Sequence, residues 1–317
     1  MDLQTYAILN GPLAVLNMVT IAFYIFCMVR PLHGEKIKQP LKLLLWTLIG
    51  STIIYIWSGV ADGFSQMSGL NFTMMFWSDL LMICSVSTSM TSSVWLNFFY
   101  CSQIVPAHSA LFTWIKKNVK SIIYVFWITE RIYTLLEITS MLLIFTDFDA
   151  FLSSNNFTMV DDMPEKDFWK GFKENMFLIV FSTMKTHFVF CLCVMVMSSG
   201  STVLYLCGHM RRMAANGQLV SSPRFRNQVR VTVTGLLQGA LYVFSASWII
   251  YGTFPQNANI NIRFTTVDST VIMVYMTATL FNLGAGQAVF RQRAAHIWLR
   301  GAQCFKAPQV QQTDQGA

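Results

Sequence analysis

Along this chain, long apolar stretches alternate with short polar ones. No charged residue falls between Asp2 and Arg30, between Lys42 and Asp62, or between Asp79 and Lys116. The stretches from Val231 to Ile262 and from Ser269 to Phe290 are also free of charge. Two more, Ser121 to Phe145 and Met176 to Cys207, are apolar with a few charges. About 20 apolar residues carry a helix across a bilayer. The pattern therefore predicts an all-α protein with seven membrane-spanning helices, near 7–29, 41–63, 74–104, 121–145, 176–210, 229–253 and 264–288. The third and fifth are longer than a bilayer requires, so they tilt or project into water. A bundle domain then covers residues 1–288, and residues 289–317 form a cytoplasmic amphipathic segment and tail.

Composition agrees. The chain is 54% hydrophobic and 12% charged, against about 45–50% and about 25% for soluble domains. Charge then orients the bundle. With the N-terminus outside, the inner loops hold Arg30, Lys36, Lys38 and Lys42, then Lys116, Lys117 and Lys120, then Arg211, Arg212, Arg224, Arg226 and Arg230, and finally Arg291, Arg293, Arg300 and Lys306. The outer loops hold only Lys166, Lys170, Lys173 and Arg263. Sixteen against four, by that count, predicts an extracellular N-terminus and a cytoplasmic C-terminus. The net charge of +7 is thus an inner-face feature facing the lipid bilayer, and no basic patch is left over for nucleic acid. The outer side is acidic: Asp147, Asp149, Asp161, Asp162, Glu165, Asp167 and Glu174 crowd the loop between spans four and five. Two glycosylation sequons, at Asn71 and Asn156, fall on that same side. The first residues lack a basic n-region, so the first span is expected to act as its own insertion signal.

Little in the chain suggests enzymatic chemistry. G-x-S-x-G, H-E-x-x-H and a phosphate-binding glycine loop are all missing from the sequence. The seven cysteines all fall in spans or on the inner side, so an outer disulfide is not expected. Cys304 follows a basic amphipathic stretch and is a candidate for palmitoylation. No metal or organic cofactor is implied. Charges within spans are Asp79, Glu130, Arg131, Glu137, Lys185 and Asp268, and His187 is the one mid-span histidine. Each charge costs several kcal/mol at mid-bilayer unless paired or hydrated. Lys185 and Glu137 share a depth and are expected to pair. Asp79 and Asp268 lie near the outer ends of spans three and seven, where either can meet a cation. Glu130 and Arg131 are adjacent, so they face different ways and need separate partners.

The stretch Trp95 to Lys120 shows what happens at the inner edge. An apolar helix runs to Tyr100, Pro106 breaks it, and Trp114, Lys116 and Lys117 lay the next turn along the headgroups. Seven spans in this orientation describe a G-protein-coupled receptor architecture. The stretch also resembles the type 2 bitter taste receptor family, which has "FYxxKIA" at the base of span three and "FxWLKxxI" after a His/Ser turn. Here Phe99-Tyr100-Cys101-Ser102-Gln103-Ile104-Val105 is followed by His108-Ser109 and by Phe112-Thr113-Trp114-Ile115-Lys116-Lys117. Span five closes similarly on Leu206-Cys207-Gly208-His209-Met210, with Gly217 and Pro223 beyond. Span six supplies Leu241-Tyr242-Val243-Phe244-Ser245, and Asn17 in span one also fits. The chain is a divergent relative. Ile49-Gly50-Ser51 stands near the family's span-two arginine, and Gly286-Gln287-Ala288-Val289-Phe290 replaces "GNxKL".

The resemblance implies a receptor for small bitter agonists at the plasma membrane, coupled to a heterotrimeric G protein of the gustducin kind. Met82 stands where the family has a ligand-contacting Trp, and Ser269, beside Asp268, where it has an acid. Met82 and Val86 share one face of span three. With Tyr242, Ile272, Asp268 and Ser269 they are expected to line an outward pocket between spans three, five, six and seven, with Tyr251 capping it and Asp79 and Lys185 at its polar edge. Tyr100, Lys116, Lys117, His209, Arg211 and Arg212 are expected to face the G protein. Association with a second copy or a related chain is left open. Two alternatives remain: a vomeronasal type-1-like pheromone receptor, which shares the topology, and a small-molecule transporter, which would make the buried charges essential for flux.

Overall fold

A computed structural model describes residues 3–30, 39–68, 72–106, 110–154, 164–215, 223–252 and 266–310. Among these residues every regular element is a helix: α1 (Leu3–Val29), α2 (Gln39–Ser68), α3 (Phe72–Ile104), α4 (Ala110–Ser154), α5 (Pro164–Ala215), α6 (Pro223–Gly252), α7 (Thr266–Gly286) and α8 (Ala288–Val310). The sequons at Asn71 and Asn156 lie outside the described residues, as do Asp161 and Asp162 of the acidic loop. Local chemistry sets several ends. Pro40, Pro164 and Pro223 sit in first turns, where a missing N–H costs nothing. Pro106 follows the end of α3, and α6 and α7 close on Gly252 and Gly286. The longest helix, α5, has 52 residues and runs about 78 Å, far more than the ~30 Å hydrocarbon core, so its length exceeds the bilayer as the sequence suggested.

Five helices are long and apolar enough to cross a membrane: Tyr6–Val29, Gln39–Ser65, Lys185–Met213, Arg226–Tyr251 and Val267–Gly286. The other two expected spans, α3 and α4, are more polar. In α3, seven of the nine residues from Ser85 to Ser93 bear hydroxyls, and all seven are buried. This helix packs against α2, α4, α5, α6 and α7. Surrounded by protein, it does not need a lipid-soluble surface. Several of its hydroxyls return hydrogen bonds to the preceding turn, as Ser85 to Leu81 O and Ser93 to Met90 O do. In α4, Glu130, Arg131 and Glu137 interrupt the apolar run.

The bundle is apolar outside and mixed inside. Val15, Val19, Leu135, Leu136, Val196 and Leu204 are more than half exposed, a surface suited to lipid. Lipid tails remove the hydrophobic drive between helices, so packing and interhelical hydrogen bonds must hold the bundle. Two clusters do the packing. One, at the expected inner half, gathers Tyr24, Leu45, Trp95, Phe99, Ile123 and Phe290. The other, at the expected outer half, gathers Met82, Val86, Met90, Tyr242, Ile272 and Tyr275. In α8, Phe290 stacks on Tyr24 with ring centroids 4.4 Å apart, while Trp298 is 78% exposed.

Candidate functional site

Four of the residues expected in the pocket converge. Met82 and Val86 on α3, Tyr242 on α6 and Ile272 on α7 are all buried in one cluster, which α5 joins through Phe188, Cys191 and Met195. Tyr242 is fully buried, and its hydroxyl donates to Phe188 O on α5 at 3.1 Å. That bond satisfies the phenol and ties α6 to α5. Ser269 is buried, and its carbonyl accepts from Tyr55 Oη of α2 at 3.1 Å. Asp268 is half-buried and accepts a 2.9 Å bond from Trp248 Nε1 of α6.

The remaining expected residues are not members of this hydrophobic cluster. Asp79 and Lys185 are half-buried on α3 and α5. Tyr251 is 74% exposed near the end of α6. Sequence reasoning did not single out Tyr55 or Trp248, whose hydrogen bonds join α2 and α6 to α7.

A polar layer lies between α3, α4 and α5. His187 Nε2 is 3.2 Å from Glu130 Oε2, and the imidazole stacks on Tyr133 with centroids 5.2 Å apart. Arg131 donates to Thr88 Oγ1 on α3 at 3.1 Å, and its guanidinium lies 5.7 Å from the Trp127 ring centroid. So Glu130 and Arg131 do take separate partners. The expected Lys185–Glu137 hydrogen-bonded pair does not form. Glu137 is 1% exposed, and neither carboxylate oxygen has a hydrogen-bond partner among the described residues. Shared depth was the basis for that pairing, and helix rotation decided otherwise.

At the expected inner half, amide side chains join α3, α5, α6 and α7. Asn97 Nδ2 lies 2.7 Å from Ser199 Oγ, 2.9 Å from Met195 Sδ and 3.2 Å from Ser198 Oγ. Gln238 Nε2 donates to Thr279 Oγ1 at 3.1 Å. Asn282 Nδ2 donates to Gln238 Oε1 at 3.0 Å and to Thr234 O at 2.7 Å. These groups surround a cavity of about 30 Å³, space for about two waters. Tyr100, expected to face a G protein, lines this cavity, and its hydroxyl is buried without a partner among the described residues. Lys116, Lys117, Arg211 and Arg212 are exposed, and His209 is half-buried. Asn97, Gln238 and Asn282 were not anticipated. A lone amide in an otherwise apolar span is the signal that marks them.

Six cysteines, Cys27, Cys84, Cys101, Cys191, Cys193 and Cys207, are free thiols. Among the described residues no cluster of three or more His, Cys, Asp or Glu is placed to hold a metal.

No curated protein matches this chain. The family model described as Taste receptor protein (TAS2R) matches residues 8–300. That range takes in α3 to α7 whole, with the buried cluster, the α4–α5 polar layer and the amide network. With its helical bundle, the chain belongs to the taste receptor protein (TAS2R) family, membrane receptors rather than enzymes.

Proposed function

We propose that the chain is a chemosensory receptor for small bitter compounds at the plasma membrane, with the N-terminus outside and the C-terminus inside. The observation that carries this reading is the buried cluster that brings Met82, Val86, Tyr242 and Ile272 together from three helices, within a family match covering residues 8–300. The agonist enters between α3, α5, α6 and α7 from the outer end. Apolar contacts come from Met82, Val86 and Ile272. Nineteen methionines in the chain suit a wall that repacks around different ligands. Asp268, which accepts from Trp248 Nε1, supplies the negative charge that attracts a cationic group.

Signalling follows by population shift. An agonist that binds the active arrangement more tightly moves the equilibrium by that difference in affinity and no more. The inner ends of α5 and α6 then separate, and a gustducin-like G protein docks against Lys116, Lys117, Arg211 and Arg212. The amide network opposes this separation, because it joins both helices to α3 and α7.

Calcium release in cells co-expressing the chain and a taste-type G-protein chimera tests the reading. A dose-dependent response that needs the G protein is expected. Asp268→Asn is expected to weaken cationic agonists at least tenfold and to spare neutral ones. Equal loss for both classes would remove Asp268 from the pocket. Ligand-driven substrate flux without G protein would replace the receptor reading with a transporter.

A further inference from the structure

On the flank where α6 meets α7, near the expected inner end, runs a groove of about 680 Å³ that receptor signalling does not use. Its shape follows from side-chain size. On α7, Ala278 and Ala285 are seven residues apart and share one face, with Phe281 between them. On α6, Val229, Val233 and Leu237 recur every four residues and form the facing wall. The alanines leave a trough where larger residues would close the surface. From Val229 to Leu237 it runs about 12 Å along α6. One leaflet is half of the ~30 Å hydrocarbon core, so the trough covers most of one leaflet's depth.

Its mouth is basic. Arg226 and Arg230, one turn apart, line the same groove. Among the described residues neither has a carboxylate or hydrogen-bond partner. A third arginine, Arg291, is already committed: it donates to Ala285 O at 2.8 Å, Gly286 O at 3.0 Å and Asn227 Oδ1 at 3.2 Å. Burial first, then the neighbouring Arg230, push the Arg291 pKa below its ordinary value. The groove lining contains no acid. Retention of the inner loops accounts for basic residues in general. It does not account for two unpaired guanidinium groups at the end of an apolar trough.

We propose that this groove binds one anionic phospholipid of the inner leaflet, with its phosphate between Arg226 and Arg230 and an acyl chain along Val233, Leu237 and Phe281. Guanidinium forks suit phosphate oxygens. A net-negative headgroup is favoured because a choline headgroup brings a cation of its own to the same arginines. The leaflet assignment rests on the proposed orientation, while the site rests only on its geometry. The back wall holds Asn282 and Thr234, joined at 2.7 Å, so the lipid braces the α6–α7 seam.

Native mass spectrometry of the full chain, released from detergent and titrated with phosphatidylglycerol or phosphatidylcholine of identical chains, tests the site. Phosphatidylglycerol should be retained about thirtyfold more strongly, from roughly one unit of surface attraction per arginine. Arg226→Gln with Arg230→Gln should bring the ratio near one. Lys42→Gln with Lys120→Gln removes the same charge elsewhere and should leave the ratio unchanged. Ala285→Leu should lower phosphatidylglycerol retention with both arginines present. Inorganic phosphate should not displace the lipid. Equal retention of the two lipids by the native chain would overturn the proposal. So would equal loss of selectivity in the lysine control, displacement by inorganic phosphate, or full retention in Ala285→Leu. The measurement needs neither agonist nor G protein, so its failure leaves the receptor reading intact, and a silent receptor leaves the lipid site intact.

Discussion

Replacing Gly235 by alanine probes the α3–α6 seam directly. A methyl group at that position would lie 2.6 Å from Asn97 Oδ1, too close for either atom to stay where it is. Asn97 is 7% exposed, and its amide nitrogen faces Met195, Ser198 and Ser199 of α5. Moving it forfeits these contacts, at about 1 kcal/mol for each neutral hydrogen bond lost. Backbone displacement to relieve the clash costs about 1–3 kcal/mol instead. Against this, alanine gains about 1 kcal/mol over glycine within a helix. The net expectation is a loss of up to about 2 kcal/mol. Gly239 supplies the control, one turn further along the same helix. A methyl there meets Met195 Cγ and Ser199 Oγ at 3.7 Å, ordinary contacts, so Gly239→Ala keeps only the helix gain. The two alanine variants should differ by about 1–3 kcal/mol, or about 3–9 °C in melting temperature. Thiol-dye labelling can follow unfolding, because Cys27, Cys84, Cys101 and Cys191 are buried, once Cys193, Cys207 and Cys304 are replaced by serine. In an Asn97→Ala background the Gly235→Ala penalty should vanish, as coupling through one contact requires. If Gly235→Ala melts at or above Gly239→Ala, the close approach of α6 to Asn97 is wrong.

Other expectations follow from single contacts. Glu130→Gln removes the charge facing His187 at 3.2 Å and should cost about 3 kcal/mol; leucine at both positions should recover most of it, and a double-mutant coupling near zero would dissolve the pair. Arg131→Met keeps the aliphatic stem but loses the Thr88 bond and the Trp127 ring contact, so thermal unfolding should show a loss of about 1–2 kcal/mol; an unchanged melting temperature would mean neither contact contributes. Tyr242→Phe gives up the bond to Phe188 O and the hydroxyl's contact with the Cys191 thiol, about 1–2 kcal/mol, and a loss as large as that of Tyr242→Ala would show that the hydroxyl does more. For topology, Asn71→Gln with Asn156→Gln should abolish an endoglycosidase-sensitive mass shift of the chain expressed in mammalian cells; a native chain with no shift would count against an extracellular N-terminus.

The helices were legible because the bilayer imposes a one-dimensional rule on sequence. Freedom from charge marked α3 even though its hydroxyls leave it less apolar than its neighbours. Helix spacing placed Met82 and Val86 on one face, the taste-family resemblance pointed to Tyr242, and Ile272 was expected beside Asp268 or Ser269 on span seven. Position along a span gives depth, however, and not rotation. Glu137 and Lys185 share a depth, yet Glu130 is the carboxylate that reaches α5, through His187. Tyr251 is largely exposed, and Tyr100 turns its hydroxyl into the bundle. Rotation is set by packing between helices distant in sequence, which no local pattern encodes.

The amides were missed for a related reason. Reading spans by hydropathy treats a polar residue as noise in an apolar run, whereas in lipid it is among the few groups that can tie helices together. Asn97, Gln238 and Asn282 stand on three different helices, and each finds partners on another. Their bonds cross the seams that must open if α6 moves. A bundle held there only by apolar packing would have no preferred closed register, because lipid could replace each contact at little cost. Hydrogen bonds cannot be exchanged with lipid tails, so this layer gives the closed arrangement a defined energy. The hydroxyl-rich centre of α3 belongs to the same logic: polar where other helices surround it, and sparing of charge throughout.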